Sequence, residues 1–278
     1  MAIEYRCKLR HLKLYFLFKA STQVMLKIQD FHYTSTSKKA GALLEETKIL
    51  FAYLHNHNEV DVSNCWRENV LAKSSRSRSK YILEVLNKRY LQDREVGSAI
   101  TNLVINNCPT EVLDKILYFH TARSDRLLYD VVITILYPMY ESGLRDIRTA
   151  ELASNLTHWN SNTWSSTTVI RVSRGILATL RDFGVLTGKV HKRIAPVYLP
   201  IYAFAYIAFY LKQLQPSVHK LMELSDWQLF FLAPIGVEKL LFEAHQQGIL
   251  EYHVAGSVTR LTFPVSTLPE YATFLTQR

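Results

Sequence analysis

Residues 165–193 constrain this chain more than any other stretch. Ser165, Ser166, Thr167 and Thr168 stand where a helix N-terminus needs hydroxyl caps, and Val172, Ile176, Leu180 and Phe183 follow at helical spacing. Arg171, Arg174 and Arg181 fall along a different edge of the same helix, over the small Ala178. Phe183-Gly184 closes the helix, Val185-Leu186-Thr187 has the composition of a short strand, and Gly188-Lys189-Val190-His191-Lys192-Arg193 reads as a basic turn.

Helix, short strand and cationic hairpin are the parts of a winged helix-turn-helix, a module whose usual ligand is duplex DNA. Thr167, Thr168, Arg171, Arg174, Lys189, Lys192 and Arg193 are then the candidate DNA-contacting residues, with hydroxyls donating to phosphate and arginines fixing the backbone or reading guanine. The competing reading is an ordinary amphipathic helix with a solvated basic side.

The charge balance favours a polyanionic partner. The chain of 278 residues carries a formal net charge of +9. Residues 1–100 hold 17 Lys and Arg against 10 Asp and Glu, and the remaining 178 hold 16 against 14, so the basic excess leans N-terminal. Within that half, Lys73, Arg76, Arg78 and Lys80 alternate with serines in a run that has no apolar residue and is expected on the surface. It reads either as a phosphate-gripping loop or as a helix-capping turn with solvated charges. In the first case affinity for duplex should fall steeply with salt.

Other chemistry finds little support. Cys7, Cys65 and Cys108 have no CxxC pairing, which argues against a disulfide framework or cysteine-rich zinc site and fits a reducing, cytoplasmic setting. His55, His57, Glu59 and Asp61 have metal-ligand chemistry in one loop, but no second cluster completes a shell, so no metal is expected. HExxH, GxGxxG, GxxxxGK[ST] and GxSxG are all missing. The expectation is a non-enzyme with no catalytic residues, no cofactor and no small-molecule substrate.

The longest apolar run, 194–211, is broken by Pro196 and Pro200, and only 11 residues separate Pro200 from Lys212. A bilayer needs about 20, so the run is expected to be a buried helix rather than a membrane span. Residues 1–24 place five basic residues around Leu14-Tyr15-Phe16-Leu17-Phe18 but lack a small-residue cleavage site, so they do not read as a signal peptide. They are taken as an extension or disordered arm, with Met25 the expected start.

Periodicity predicts a mainly α fold. A helix over 39–54 puts Leu43, Leu44, Thr47, Leu50, Phe51 and Leu54 on one stripe. Further helices are expected at 61–71, 80–91, 95–106, 110–121, 125–141 and 149–157, with Pro138 kinking or shortening the one over 125–141. In the last third, Ser225-Asp226-Trp227 should cap a short helix, 236–247 should form another, and 248–263 a hairpin turning at Ala255-Gly256. That helix and hairpin make a second winged-helix-like unit, whose one wing cation, Arg260, suits it better to packing or partner contact. The expected division is a helical domain over 25–142 and a winged-helix-like domain over 143–278.

Three pieces together resemble one family: 36–47 opening the first helix, Trp66-Arg67-Glu68-Asn69-Val70-Leu71 with the Ser/Arg run after it, and Tyr81 to Arg89. With Leu127 to Tyr140 and Leu180-Arg181-Asp182-Phe183-Gly184-Val185-Leu186, the chain is similar over about residues 30–265 to BrxA, a component of the BREX phage-defence system. The resemblance implies a mostly helical bacterial protein, similar in part to the NusB antitermination fold, that binds double-stranded DNA without catalysis. It would work beside a methyltransferase and other BREX proteins. Three alternatives stay open from the residues: an RNA binder, which NusB likeness makes a real competitor, a protein scaffold, suggested by Trp227, Phe230, Phe231 and Phe242, and a peripheral membrane protein anchored by residues 10–20 or 200–211.

Overall fold

A computed structural model describes Tyr33, residues 40–57, Val62 and residues 65–159, 164–256 and 258–278. The expectations for residues 1–24, for Met25 as start, and for Glu59 and Asp61 lie outside the described residues.

The first long helix, α1 (Leu44–Asn56), starts later than its apolar stripe suggests, because Leu43 is left-handed at φ 58°. The cause lies far along the chain. The Arg89 guanidinium donates to the carbonyls of Gly41 and Ala42 at 2.9 and 3.0 Å and holds them out of any helix. The stripe itself is correct, with Thr47, Leu50, Phe51 and Leu54 buried. Residues 65–71 form turns rather than the expected helix. Asn69 at φ 49° and Ala72 at φ 48° explain this, since left-handed residues break helical progression.

Helix α2 (Arg76–Leu86) begins inside the serine-rich run, and the Ser75 hydroxyl caps it by accepting the Arg78 N–H. The run is therefore not wholly on the surface: Ser79 is buried. A π-helical turn, Asn87–Leu91, extends α2, and α3 (Arg94–Ile105) and α4 (Thr110–Ser124) follow. Asp93 caps α3 by accepting the N–H groups of Glu95 and Val96. Helix α5 (Arg126–Val131), a π-helical segment (Val132–Leu136) and α6 (Tyr137–Glu141) run on in sequence. Pro138 does not end the helix, because it sits in the first turn of α6, just after the wider π segment, where its missing N–H matters least.

Strand β1 (Asp146–Ile147), α7 (Thr149–Trp159), α8 (Ser166–Asp182), β2 (Leu186–Thr187) and β3 (Lys192–Ile194) form the next unit. Its three strands make one antiparallel sheet in the order β1-β3-β2. Asp146 pairs with Arg193 and Ile147 with Lys192 on one side, and Leu186 with Ile194 and Thr187 with Arg193 on the other. Ile147, Leu186 and Ile194 are buried, and β2 packs against α8.

The apolar run becomes α9 (Ile201–Leu214), buried from Ala203 to Phe209 and packed against α4 as a core helix apolar all round should be. Among the described residues no helix is long and apolar enough to cross a membrane. Then come α10 (Val218–Met222), a 3-10 turn (Ser225–Phe230), α11 (Pro234–Gln246), a two-stranded sheet of β4 (Glu251–Ala255) and β5 (Val258–Thr262), and α12 (Leu268–Thr276). Ser225-Asp226-Trp227 lies within the 3-10 turn and supplies no cap; the Asp226 carboxylate is taken by Arg123 instead. Ala255 pairs with Val258, so the hairpin reverses one residue later than expected. Helix α12 closes the fold by returning to α3, where the Asn102 amide donates to the Pro269 carbonyl and the Thr273 hydroxyl, both at 3.0 Å.

Candidate nucleic-acid interface

Helix α8 owes its orientation to its own sequence. Val169, Val172, Ser173, Ile176, Leu177, Thr179 and Leu180 face the core, which obliges the positions between them to face out. Ser165 caps the start by accepting the Thr168 N–H at 3.3 Å. At the other end Lys115 reaches from α4 to donate to the Phe183 carbonyl at 3.2 Å. Burial lowers the pKa of that lysine against the opposing pull of Asp114. The cap at the start is local, and the contact from Lys115 ties the C-terminal end of α8 to α4.

The outward face carries Thr167, Arg171 and Arg174, all exposed, with Thr168 half-buried at the cap. Arg181 does not join them, because its guanidinium is bound to Asp182 at 2.7 Å. Ile170, 41% exposed, sits among these polar groups, and spacing could not show that it stays uncovered.

The β2–β3 turn completes the surface. Lys189 and Arg193 are exposed, and Lys192 is half-buried with its ammonium donating to the Lys189 carbonyl at 3.0 Å, so it braces the turn as well as charging it. Val190 at the tip is 85% exposed. Arg193 stands directly across the sheet from Asp146, a carboxylate neighbour that only the pairing with β1 brings there. The turn depends on Gly188, at φ +84°, where a Cβ would lie 2.0 Å from the His191 carbonyl oxygen. Gly188→Ala is expected to destabilise the turn by about 1–3 kcal/mol while the buried core keeps its cooperative melt. Amide exchange at 189–193 would register it; unchanged protection there would show that the turn does not need its glycine.

The Lys73 to Lys80 run is differently disposed. Lys73 is bound to Glu46 at 2.9 Å, and that ammonium holds the Glu46 carboxyl below its usual range despite the opposing effect of burial. Arg78 lies over the Tyr81 ring at 5.7 Å. Arg76 and Lys80 are exposed. The run forms the capping first turn of α2. Neither α2 nor α8 has an acidic residue in its first turn, and in α2 the positive end of the helix dipole adds to the cations Arg76 and Arg78. An anion relieves that self-repulsion, the electrostatic condition under which helix starts receive phosphate.

Elsewhere, His57 stacks on Tyr53 with ring centres 4.0 Å apart. Among the described residues no group of three or more His, Cys, Asp or Glu is placed to hold a metal ion. Burial pushes the Cys108 thiol up to about 12, so it stays protonated at neutral pH. Of the four aromatics expected at a partner surface, Trp227, Phe230 and Phe231 are core, and Phe242 alone is exposed.

A mainly helical protein with short antiparallel strands, presenting one basic helix face beside a basic turn, is the class these observations define. A model of the BrxA family matches residues 31–210, and the chain belongs to that family. The match covers α1 through most of α9 and stops short of the 30–265 expected from the residues. Membership indicates a BREX-associated function. No curated protein and no solved structure matches the chain.

Proposed function

We propose that this protein is a non-catalytic, double-stranded DNA-binding component of a BREX phage-defence system, acting in the bacterial cytoplasm with other BREX proteins as partners. The unit β1-α7-α8-β2-β3 has the strand and helix order of a winged helix-turn-helix, with α8 as the recognition helix and the β2–β3 turn as the wing. The observation that carries the reading is that Thr167, Arg171 and Arg174 on α8, whose opposite face is buried, and Lys189 and Arg193 at the adjoining turn are all exposed. Hydroxyls and cations in that arrangement grip phosphates on either side of a groove, which favours largely sequence-tolerant binding. Arg76, Arg78 and Lys80 on α2 add a second basic patch, to which Lys73 contributes less because Glu46 holds it. The proposed division into a helical part over 25–142 and a winged-helix part over 143–278 assigns one patch to each.

Titration of labelled duplex DNA at two salt concentrations tests this. Changing Arg171, Arg174, Lys192 and Arg193 together to alanine is expected to flatten the slope of log affinity against log salt by about 4, near 0.9 per phosphate released. Equal affinity and slope in wild type and variant would remove α8 and the turn as the docking surface. Duplex RNA belongs in the same titration, since tighter binding to it than to DNA would shift the proposal to RNA.

A further inference from the structure

A polar cleft to which α8 contributes no residue lies where the C-terminal end of α9, the start of α10 and strand β5 meet. Its volume is about 310 Å³, at the lower end of the range for small-ligand sites. Lys212, His219 and Arg260 line it together with Ser217 and Thr259, over the buried Leu261. No carboxylate is among its lining residues.

Among the described residues neither Lys212 nor Arg260 has a carboxylate partner. Lys212 donates one of its protons to the Pro216 carbonyl, which fixes the ammonium at the rim and leaves its other protons uncommitted. Burial lowers the pKa of this lysine, and no neighbouring charge opposes it. Arg260 is exposed on β5 directly opposite His253, and among the described residues its guanidinium makes no ion pair. His219 approaches Glu223 at 3.5 Å, a contact that draws on one ring nitrogen only. Cations converging on a cleft raise each other's energy until an anion joins them, and a guanidinium beside an ammonium and hydroxyls matches phosphate in charge and donor geometry. No aromatic side chain lines the cleft to stack a base, so recognition stops at the phosphate group.

We propose that the cleft bounded by Lys212, Ser217, His219, Thr259 and Arg260 is a phosphate-binding site, distinct from the basic face of α8. The phosphate is either a free phosphomonoester or one phosphodiester of a nucleic-acid backbone. The cleft shares no lining residue with α8, so phosphate could bind there whether or not α8 binds DNA.

Inorganic phosphate titrated into the full chain, followed by calorimetry, is the test. Wild type should bind it saturably, Arg260→Ala should lose about tenfold in affinity, and Arg260→Lys should recover part of the loss. The fourfold alanine variant at Arg171, Arg174, Lys192 and Arg193 should bind phosphate as wild type does. Absence of saturable binding, or equal binding by wild type and Arg260→Ala, would overturn the proposal, as would loss of binding in the fourfold variant alone. Duplex titration of Arg260→Ala separates the two sources. A salt slope reduced by about 1 identifies a backbone phosphodiester, and an unchanged slope with phosphate binding lost identifies a phosphomonoester.

Discussion

Acidification from pH 7 to pH 4 is expected to remove about 3 kcal/mol of folding stability through His120 alone. This imidazole is buried on α4, 3.1 Å from the Tyr206 hydroxyl and edge-on to the rings of Tyr206 and Tyr210. Burial, assisted by the nearby positive charge of Arg123, lowers its pKa from 6.5 to about 3. The folded protein therefore holds His120 neutral while the unfolded chain protonates it near 6.5, so between those values the unfolded state binds more protons. The stability His120 confers is complete above about pH 6.5 and declines as pH falls toward 3. Urea unfolding at pH 7 and pH 4, for wild type and His120→Gln, isolates the effect from the carboxylates, which titrate in both. The variant should lose about 3 kcal/mol less over that interval; matching losses would mean that His120 is charged in the folded protein.

Asp226→Ala should be nearly as damaging at neutral pH, at about 3 kcal/mol. The Arg123 guanidinium donates to the Asp226 carboxylate and lies over the rings of Phe119 and Tyr210 at 5.7 and 5.3 Å. Its side chain is 31% exposed and that of Asp226 is 10% exposed, so removing the carboxylate strands a cation that water reaches poorly. The pair also joins α4 to the 3-10 turn, beside Trp227, whose indole N–H donates to the Leu221 carbonyl at 2.8 Å. Replacing both partners with leucine should cost less than Asp226→Ala, because no charge is left behind. Urea unfolding at pH 7 would decide it, and a change within about 0.5 kcal/mol for Asp226→Ala would show that Arg123 is satisfied by solvent and its aromatic neighbours alone.

How much of this was legible in the residues depended on how local the cause was. Helix α8 could be read because cap, apolar stripe and basic edge all lie within its own span. Strand β1 could not, since two residues carry no period and their strand character comes from pairing with β3, some 46 positions away. The late start of α1 is set by Arg89, and the occupation of Lys73 by Glu46, both contacts between distant positions. Arg181 is a different case, because Asp182 was adjacent all along and outweighed the helical alignment with Arg171 and Arg174. Helix α12 is equally local: Thr267 and Glu270 form a complete capping box with a proline in the first turn, a start signal contained within residues 267–270.

The clasp of α12 on α3 sets an order of events during synthesis. Asn102 and its partner Pro269 are separated by 167 positions, and at ordinary translation rates about 10–30 s elapse between them. Throughout that interval the side of α3 destined for α12 lacks its native cover. Folding of this chain must therefore finish after residue 276 has left the ribosome, and until then the nascent protein is a client for any chaperone that recognises uncovered apolar helix.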